Sequence, residues 1–314
     1  MQTGMFRTAL VLGLICVTGP FAIDMYLPAL PAIEEALGAS VAGAQITLVA
    51  YFLAYGLSQL VYGPLSDQIG RKQTLLYGMI IFSIGAVICA AAPTLSILIA
   101  GRVVMGIGGA TVMVIPGAGV RDTYAGAQAT RLMSAIMLVI SISPMLAPLA
   151  GSAVVAFGTW REIFIALAIL AAASLTMAQI MLPETLKPDA RRKVNLADLK
   201  RSCGILFRDP VFVGLTFGMA SFFVFLSSAS FVYTGQYGLS PTGFSLAFAF
   251  NAVGFFIATQ AAGRLADKWG LSTLIGRGVT GFAICSAILS ALFIAGFGNM
   301  WVLLGGLVLA YACL

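Results

Sequence analysis

Long apolar runs separated by short polar breaks organise the chain from end to end. Ten runs stand out, at roughly 8–31, 45–64, 74–92, 95–119, 132–156, 161–181, 211–234, 243–262, 272–296 and 300–314. Crossing the hydrocarbon of a membrane takes about 20 apolar residues as a helix, because every backbone polar group must be bonded within the segment. The pattern therefore predicts an all-α membrane protein with ten transmembrane helices. The last run has 15 residues. At about 1.5 Å per residue it reaches about 22 Å into a core about 30 Å thick. The expectation is a chain that stops inside the bilayer, as a fragment or truncated product.

Two of the polar breaks share a frame. GPLSDQIGRK, from Gly63 to Lys72, lies between the second and third runs, and GRLADKWG, from Gly263 to Gly270, lies between the eighth and ninth, 200 positions later. Glycine, leucine, aspartate and glycine recur at 63/263, 65/265, 67/267 and 70/270. The chain thus reads as two copies of one unit: a six-helix bundle over 1–182, a linker over 183–209, and an incomplete bundle over 210–314 holding helices seven to ten. Within the linker, Leu196, Leu199, Cys203 and Leu206 recur at helical spacing beside Lys200, Arg201 and Arg208, which predicts a basic amphipathic helix on the membrane surface.

Composition agrees. A chain that is 60% apolar and 9% charged cannot present a water-soluble surface. The net charge of +6 does not call for nucleic acid. Arg7, Arg71, Lys72, Arg121, Arg131, Lys187, Arg191, Arg192, Lys193, Lys200, Arg201, Arg208, Arg264, Lys268 and Arg277 all fall on one side of the ten runs. Arg161 falls on the other, and Arg102 within a helix. This asymmetry predicts a multi-pass protein of the cell inner membrane with a cytoplasmic N-terminus. The first run is long, contains Asp24 and lacks a small-residue cleavage site, so it reads as a helix rather than a signal peptide. There is no histidine, and the five cysteines show no CxxC spacing, so no metal site or cofactor is expected.

Charged and helix-breaking residues inside the apolar runs mark the candidate chemistry. Asp24 lies about seven residues from the outer end of run one and Arg102 at about the same depth on run four, so an acid and a base at one level invite pairing. The planar guanidinium of Arg102 is expected to bond several partners, making Lys a poorer substitute there than at Arg71. Gly63 and Gly70 permit a tight turn, with Asp67, Arg71 and Lys72 between and beyond them and Asp267 in the second copy. Together these read as a conformational gate. Pro144 and Pro148, four apart on one helix face and followed by Gly151, read as a hinge. Tyr26, Tyr55, Met113, Phe222 and Asn251 are candidate walls of a substrate cavity, although rings also suit lipid and buried amides also serve as glue between helices.

These residues resemble the major facilitator superfamily, and within it the Bcr/CflA-like drug:proton antiporters. GPLSDQIGRK is similar to the superfamily signature between helices two and three. Asp24 with Pro28, Ala29 and Leu30 resembles the helix-one motif of drug antiporters, Arg102 the helix-four arginine tied to proton coupling, and SPMLAPLAG at 143–151 the helix-five antiporter motif. The last departs from the usual glycine-proline pairing. The resemblance implies a major facilitator fold of twelve helices in two parallel-repeat bundles, of which ten are here, and a cavity opening alternately to each side. In that family an Asp67-type carboxylate meets helix eleven, which this chain lacks. The implied function is proton-coupled efflux of drugs or small amphipathic metabolites by a monomer whose partners are substrate, protons and lipid. No GxxxxGK[ST] occurs to bind ATP, and Asp24 is the one carboxylate deep inside a helix, hence the expected proton carrier. A solute importer on the same fold and a non-transporting truncated remnant stand as alternatives.

Overall fold

The computed structural model describes residues 2–191 and 196–313. Arg192 and Lys193 lie outside the described residues, as do the side chains of Arg7, Leu196, Leu199 and Phe217. Every regular element among the described residues is helical.

The first span is two helices, α1 (Gln2–Asp24) and α2 (Leu30–Ala36), joined through a short 3-10 turn at Leu27–Ala29. Pro28 and Pro31 account for the break. Neither has a backbone N–H, and each sits in the first turn of the element it opens, where a donor would go unused. α3 (Val41–Ile69), α4 (Arg71–Ala90), α5 (Leu95–Gly109), α6 (Thr111–Thr123), α7 (Gly126–Phe157) and α8 (Trp160–Met181) follow. α9 (Leu196–Leu206) is the helix expected between the halves. The second half holds α10 (Pro210–Phe231), which widens into a π-helical stretch at Val232–Gln236, then α11 (Pro241–Trp269), α12 (Leu271–Ile294) and α13 (Met300–Tyr311).

Eight spans among the described residues are long and apolar enough to cross a membrane. α1 with α2, and α5 with α6, supply one each, and the seventh and tenth runs are occupied by α10, with 22 residues, and α13, with 12. The protein is a multi-pass membrane protein. Residues 69–72, 122–126 and 182–191 share one end of the spans, hereafter the linker end. Residues 37–40, 90–95 and 157–160 share the far end.

The repeat runs much further than the eight-residue frame. α3 and α11 are both 29 residues long, and each is capped by a serine, Ser40 or Ser240, whose Oγ accepts from a glycine N–H three residues on, both at 3.1 Å. Gly38 and Gly238 precede them with positive φ, and Gly70 and Gly270 end them with φ of 111° and 79°. The shared frame is therefore the tail of a span copied whole. Gly63 is not a turn residue: it lies inside α3 with nothing within 4 Å of where a side chain would start, so only Gly70 makes the joint.

Small residues set the packing of the first half. α4 lies against α5 and α8, and α3 against α5. A Cβ on Gly108 would fall on the backbone of Phe82 and Gly78, and one on Gly85 would lie 2.5 Å from the Met105 nitrogen. Lipid offers no hydrophobic drive for helices to associate, so such close backbone approach supplies the contact. The halves meet through α7 against α11 and α3 against α10. Ser245 Oγ donates to the Pro148 carbonyl at 2.8 Å, Gln45 Nε2 donates to the Ser227 carbonyl at 3.1 Å, and Phe52 meets Phe223 with ring centroids 4.5 Å apart. These contacts run from the far end to mid-span.

Two substitutions separate packing glycines from incidental ones. Gly108→Ala should destabilise the protein by about 1–3 kcal/mol through overpacking. Gly63→Ala, in an open helix interior, should be neutral or stabilising by up to about 1 kcal/mol. Thermal unfolding in detergent measures both, and equal losses would contradict the assignment.

Candidate functional site

At the linker end, the α3–α4 joint is built on Gly70, whose φ of 111° is open to glycine and closed to other residues at little cost. The first two backbone N–H groups of α4, on Arg71 and Lys72, donate to the two carboxylate oxygens of Glu184 at 2.9 and 3.2 Å. The carboxylate satisfies donors that a helix start leaves free, and it faces the positive end of the helix dipole. Arg71 then joins three elements. Its Nη1 pairs with Asp67 at 2.6 Å and also donates to Ser66 Oγ, while its Nε donates to Asp122 at 2.9 Å. Lys72 Nζ donates to the Gln179 carbonyl of α8 at 2.8 Å.

Asp122 and Glu184 were not among the residues singled out from the sequence. The available signal was the sign of their charge: both are acids on the side where cations dominate. The second-half joint has the glycine without the clasp. Arg71 has Leu271 as its repeat mate, Asp267 is exposed, and no ion pair reaches Asp267 among the described residues.

Asp24 and Arg102 lie at one level, as expected, but they do not pair. Both are buried, at 5% and 0% exposure. Neither takes part in an ion pair among the described residues. Arg102 Nη1 instead donates to the Ala22 carbonyl at 2.9 Å, and the guanidinium lies between the rings of Tyr26 and Tyr51, 4.5 and 4.2 Å from their centroids. The break after Asp24 explains the substitution. The last carbonyls of a helix have no partner within it and carry the negative end of its dipole, so Ala22 can take the place of a carboxylate. Two aromatic faces contribute about 2 kcal/mol or more when desolvated. Tyr26 is held in turn by Thr47, with oxygens 2.7 Å apart. Nε and Nη2 of Arg102 and the Tyr51 hydroxyl remain without hydrogen-bond partners among the described residues. The several-partner fork expected at Arg102 is found at Arg71.

α7 passes through Pro144 and Pro148 without ending. Gly151 lets it lie directly on the break, since a Cβ there would collide with the Met25 carbonyl. The five candidate cavity residues fall into separate places. Tyr26 is fully enclosed and belongs to the Arg102 cage. Tyr55 stacks on Tyr51 at 5.5 Å, and Met113 is half-buried nearby on α6. Across the halves, Phe222 is half-buried against Tyr311 at 5.4 Å, and Asn251 is buried and donates from Nδ2 to the Tyr233 hydroxyl at 2.9 Å.

The spans and the repeated joint are those of a helical membrane protein built as a repeat, and its family makes it a secondary transporter rather than an enzyme. Residues 12–313 match the family model of the Major Facilitator Superfamily, and the chain belongs to that family. It is 30% identical over 305 residues to the bicyclomycin resistance protein homolog of Haemophilus influenzae, covering 95% of this chain and 77% of that one. It is 32% identical over 295 residues to the chloramphenicol resistance protein of Pseudomonas aeruginosa, covering 91% of this chain and 68% of the relative. In three dimensions it is similar to the xylose transporter XylE from E. coli in a partially occluded inward-open conformation, with a TM-score of 0.76, 18% identity, and 99% of this chain and 82% of that chain covered. At that identity the likeness concerns the fold.

The two joints provide a matched test of the clasp. Gly70→Ala and Gly270→Ala should each cost about 1–3 kcal/mol for the extended backbone at positive φ, which only glycine adopts readily. Only Gly70→Ala also displaces Glu184, because a Cβ at Gly270 meets nothing within 4 Å. The expected order in thermal unfolding is a larger loss at Gly70, with Glu184→Gln removing much of the difference. Equal losses would show that the clasp contributes nothing.

Proposed function

We propose that the protein exports small amphipathic drugs or metabolites across the inner membrane in exchange for protons, acting as a monomer by alternating access with its N-terminus in the cytoplasm. The observation that carries this reading is the buried Asp24 at the broken end of α1, with α7 seated on the break through Gly151 and no cation in salt-bridge reach among the described residues. A dry carboxyl without a counter-ion is costly to keep charged. Opening the break to water changes which charge state is cheaper, and this couples proton binding to the movement of the helices around it.

Arg102 is the fixed partner in this scheme. Held by the Ala22 carbonyl, it senses the geometry of the same break, and its two unpartnered nitrogens, Nε and Nη2, are available when the break rearranges. The cross-half contacts at the far end and mid-span support a conformation open towards the linker end, which the cation asymmetry assigns to the cytoplasm. The clasp at Gly70 then serves as the rigid end of the moving bundle. Relatives that carry bicyclomycin or chloramphenicol resistance in their names point to uncharged, amphipathic antibiotics as cargo. In the cycle, a proton enters from outside as substrate leaves, and the return stroke delivers that proton to the cytoplasm.

Asp24→Asn should abolish chloramphenicol transport driven by an imposed pH gradient in proteoliposomes, while leaving counterflow and thermal stability close to those of the unmodified protein. Gradient-driven transport at the unmodified rate would remove Asp24 from the mechanism. Movement of solute in the same direction as protons would replace export with import.

A further inference from the structure

The second half holds an aromatic cluster that the proton chemistry does not use. On α10, the Phe225 ring lies between Phe248 of α11, stacked at 5.9 Å and 12°, and Tyr311 of α13, at 5.2 Å. Phe222 meets Tyr311 edge-on at 5.4 Å and 89°, and Phe223 carries the aromatic surface to Phe52 of the first half. Phe222 and Phe225 are only half-buried, so part of each ring is left open to a further contact.

Beside this wall lies a polar group with an unmet bond. Asn251 on α11 is 2% exposed, and its Nδ2 is committed to the Tyr233 hydroxyl, which fixes the orientation of the amide. Its Oδ1 is buried and accepts from nothing among the described residues. A buried acceptor left empty is costly, and native structures rarely keep one without a reason. Tyr233 stands in the π-helical stretch Val232–Gln236, and such wide turns recur where a helix is bent to serve a site.

The repeat supplies an independent pointer. With the 200-residue offset, Asn251 is the mate of Tyr51, the residue whose ring covers Arg102. The charges are not copied. Asp24 has Val224 as its mate and, counting from the capping residues Thr94 and Asn299, Arg102 has Leu307. The level of the membrane that carries ionic chemistry in one half carries a neutral acceptor among aromatic rings in the other.

We infer that Asn251 is a specificity-determining residue: its Oδ1, oriented by Tyr233, accepts a hydrogen bond from a hydroxyl donor on a flat, uncharged substrate whose ring lies against Phe222 and Phe225. The inference rests on the export reading above and adds to it a division of labour, with proton exchange in the first half and recognition of the substrate's donor in the second.

The test measures binding, not transport, so that it stands apart from proton coupling. Purified protein in lipid nanodiscs is titrated with chloramphenicol, which has a ring, two hydroxyls and an amide N–H, and with its 1,3-diacetate, in which both hydroxyls are blocked. The unmodified protein should prefer chloramphenicol by about tenfold, the value of one hydrogen bond that leaves no buried group unmet. In Asn251→Leu the preference should fall to about one, and in Tyr233→Phe it should fall part of the way. The ratio within one variant does not depend on how much of the sample is folded, and Tyr233→Phe carries the test should Asn251→Leu fail to fold. A tenfold preference retained in both variants, or no preference in the unmodified protein, overturns the assignment. Absence of binding by either compound to the unmodified protein instead overturns the export reading of the cargo.

Discussion

The break in the first span is the constraint on which the rest of the first half depends. A helix that ends in mid-membrane leaves carbonyls unpaired, and in hydrocarbon these must be satisfied by protein. Arg102 meets that need from α5 and is itself relieved by it, since a fully enclosed cation finds in Ala22 and two tyrosine faces what would otherwise require a carboxylate. Each supplies a partner that the other needs. Gly151 on α7 and Thr47 on α3, through Tyr26, then fix the surroundings, so four spans converge on a few residues near Asp24.

The linker end uses a different device for the same problem. There the free donors are those of a helix start, and the partner is a true carboxylate, Glu184, in the segment that follows α8. Arg71 binds the end of α3 and the end of α6 to this point. The first bundle is thus tied at two levels by charge meeting helix termini: a cation on a carbonyl in its middle and an anion on N–H groups at its edge. The second half repeats the helix lengths, caps and glycine joints of the first without repeating these charges.

Much of this was legible in the residues. Apolar runs of the right length gave the spans, Asp24 and Arg102 were conspicuous as charges among apolar neighbours, and Gly70 was marked by its recurrence at Gly270. What the pattern could not convey was direction. Depth along a helix put the acid and the base at one level, yet the rotation of α5 turned the guanidinium to a backbone carbonyl, and no residue type announces a carbonyl as a ligand. Gly63 shared the frame of Gly70 without sharing its role, because recurrence marks copying and not conformation. Glu184 lay hidden in a stretch that looked like mere connection, and the Ser40 and Ser240 caps were obscured because the residues between them and the shared joint have diverged.

The burial of Arg102 has an electrical consequence. A guanidinium keeps its proton at any physiological pH, so the interior of the first bundle holds a permanent positive charge. Were Asp24 to gain and lose a proton there, the dry interior would alternate between one net positive charge and none. The swing of the bundle would then carry charge through the membrane field in one half of the cycle only. Voltage contributes about 2.3 kcal/mol per charge for each 100 mV crossed, so the resting potential of the cell would act on this step together with the acidity difference.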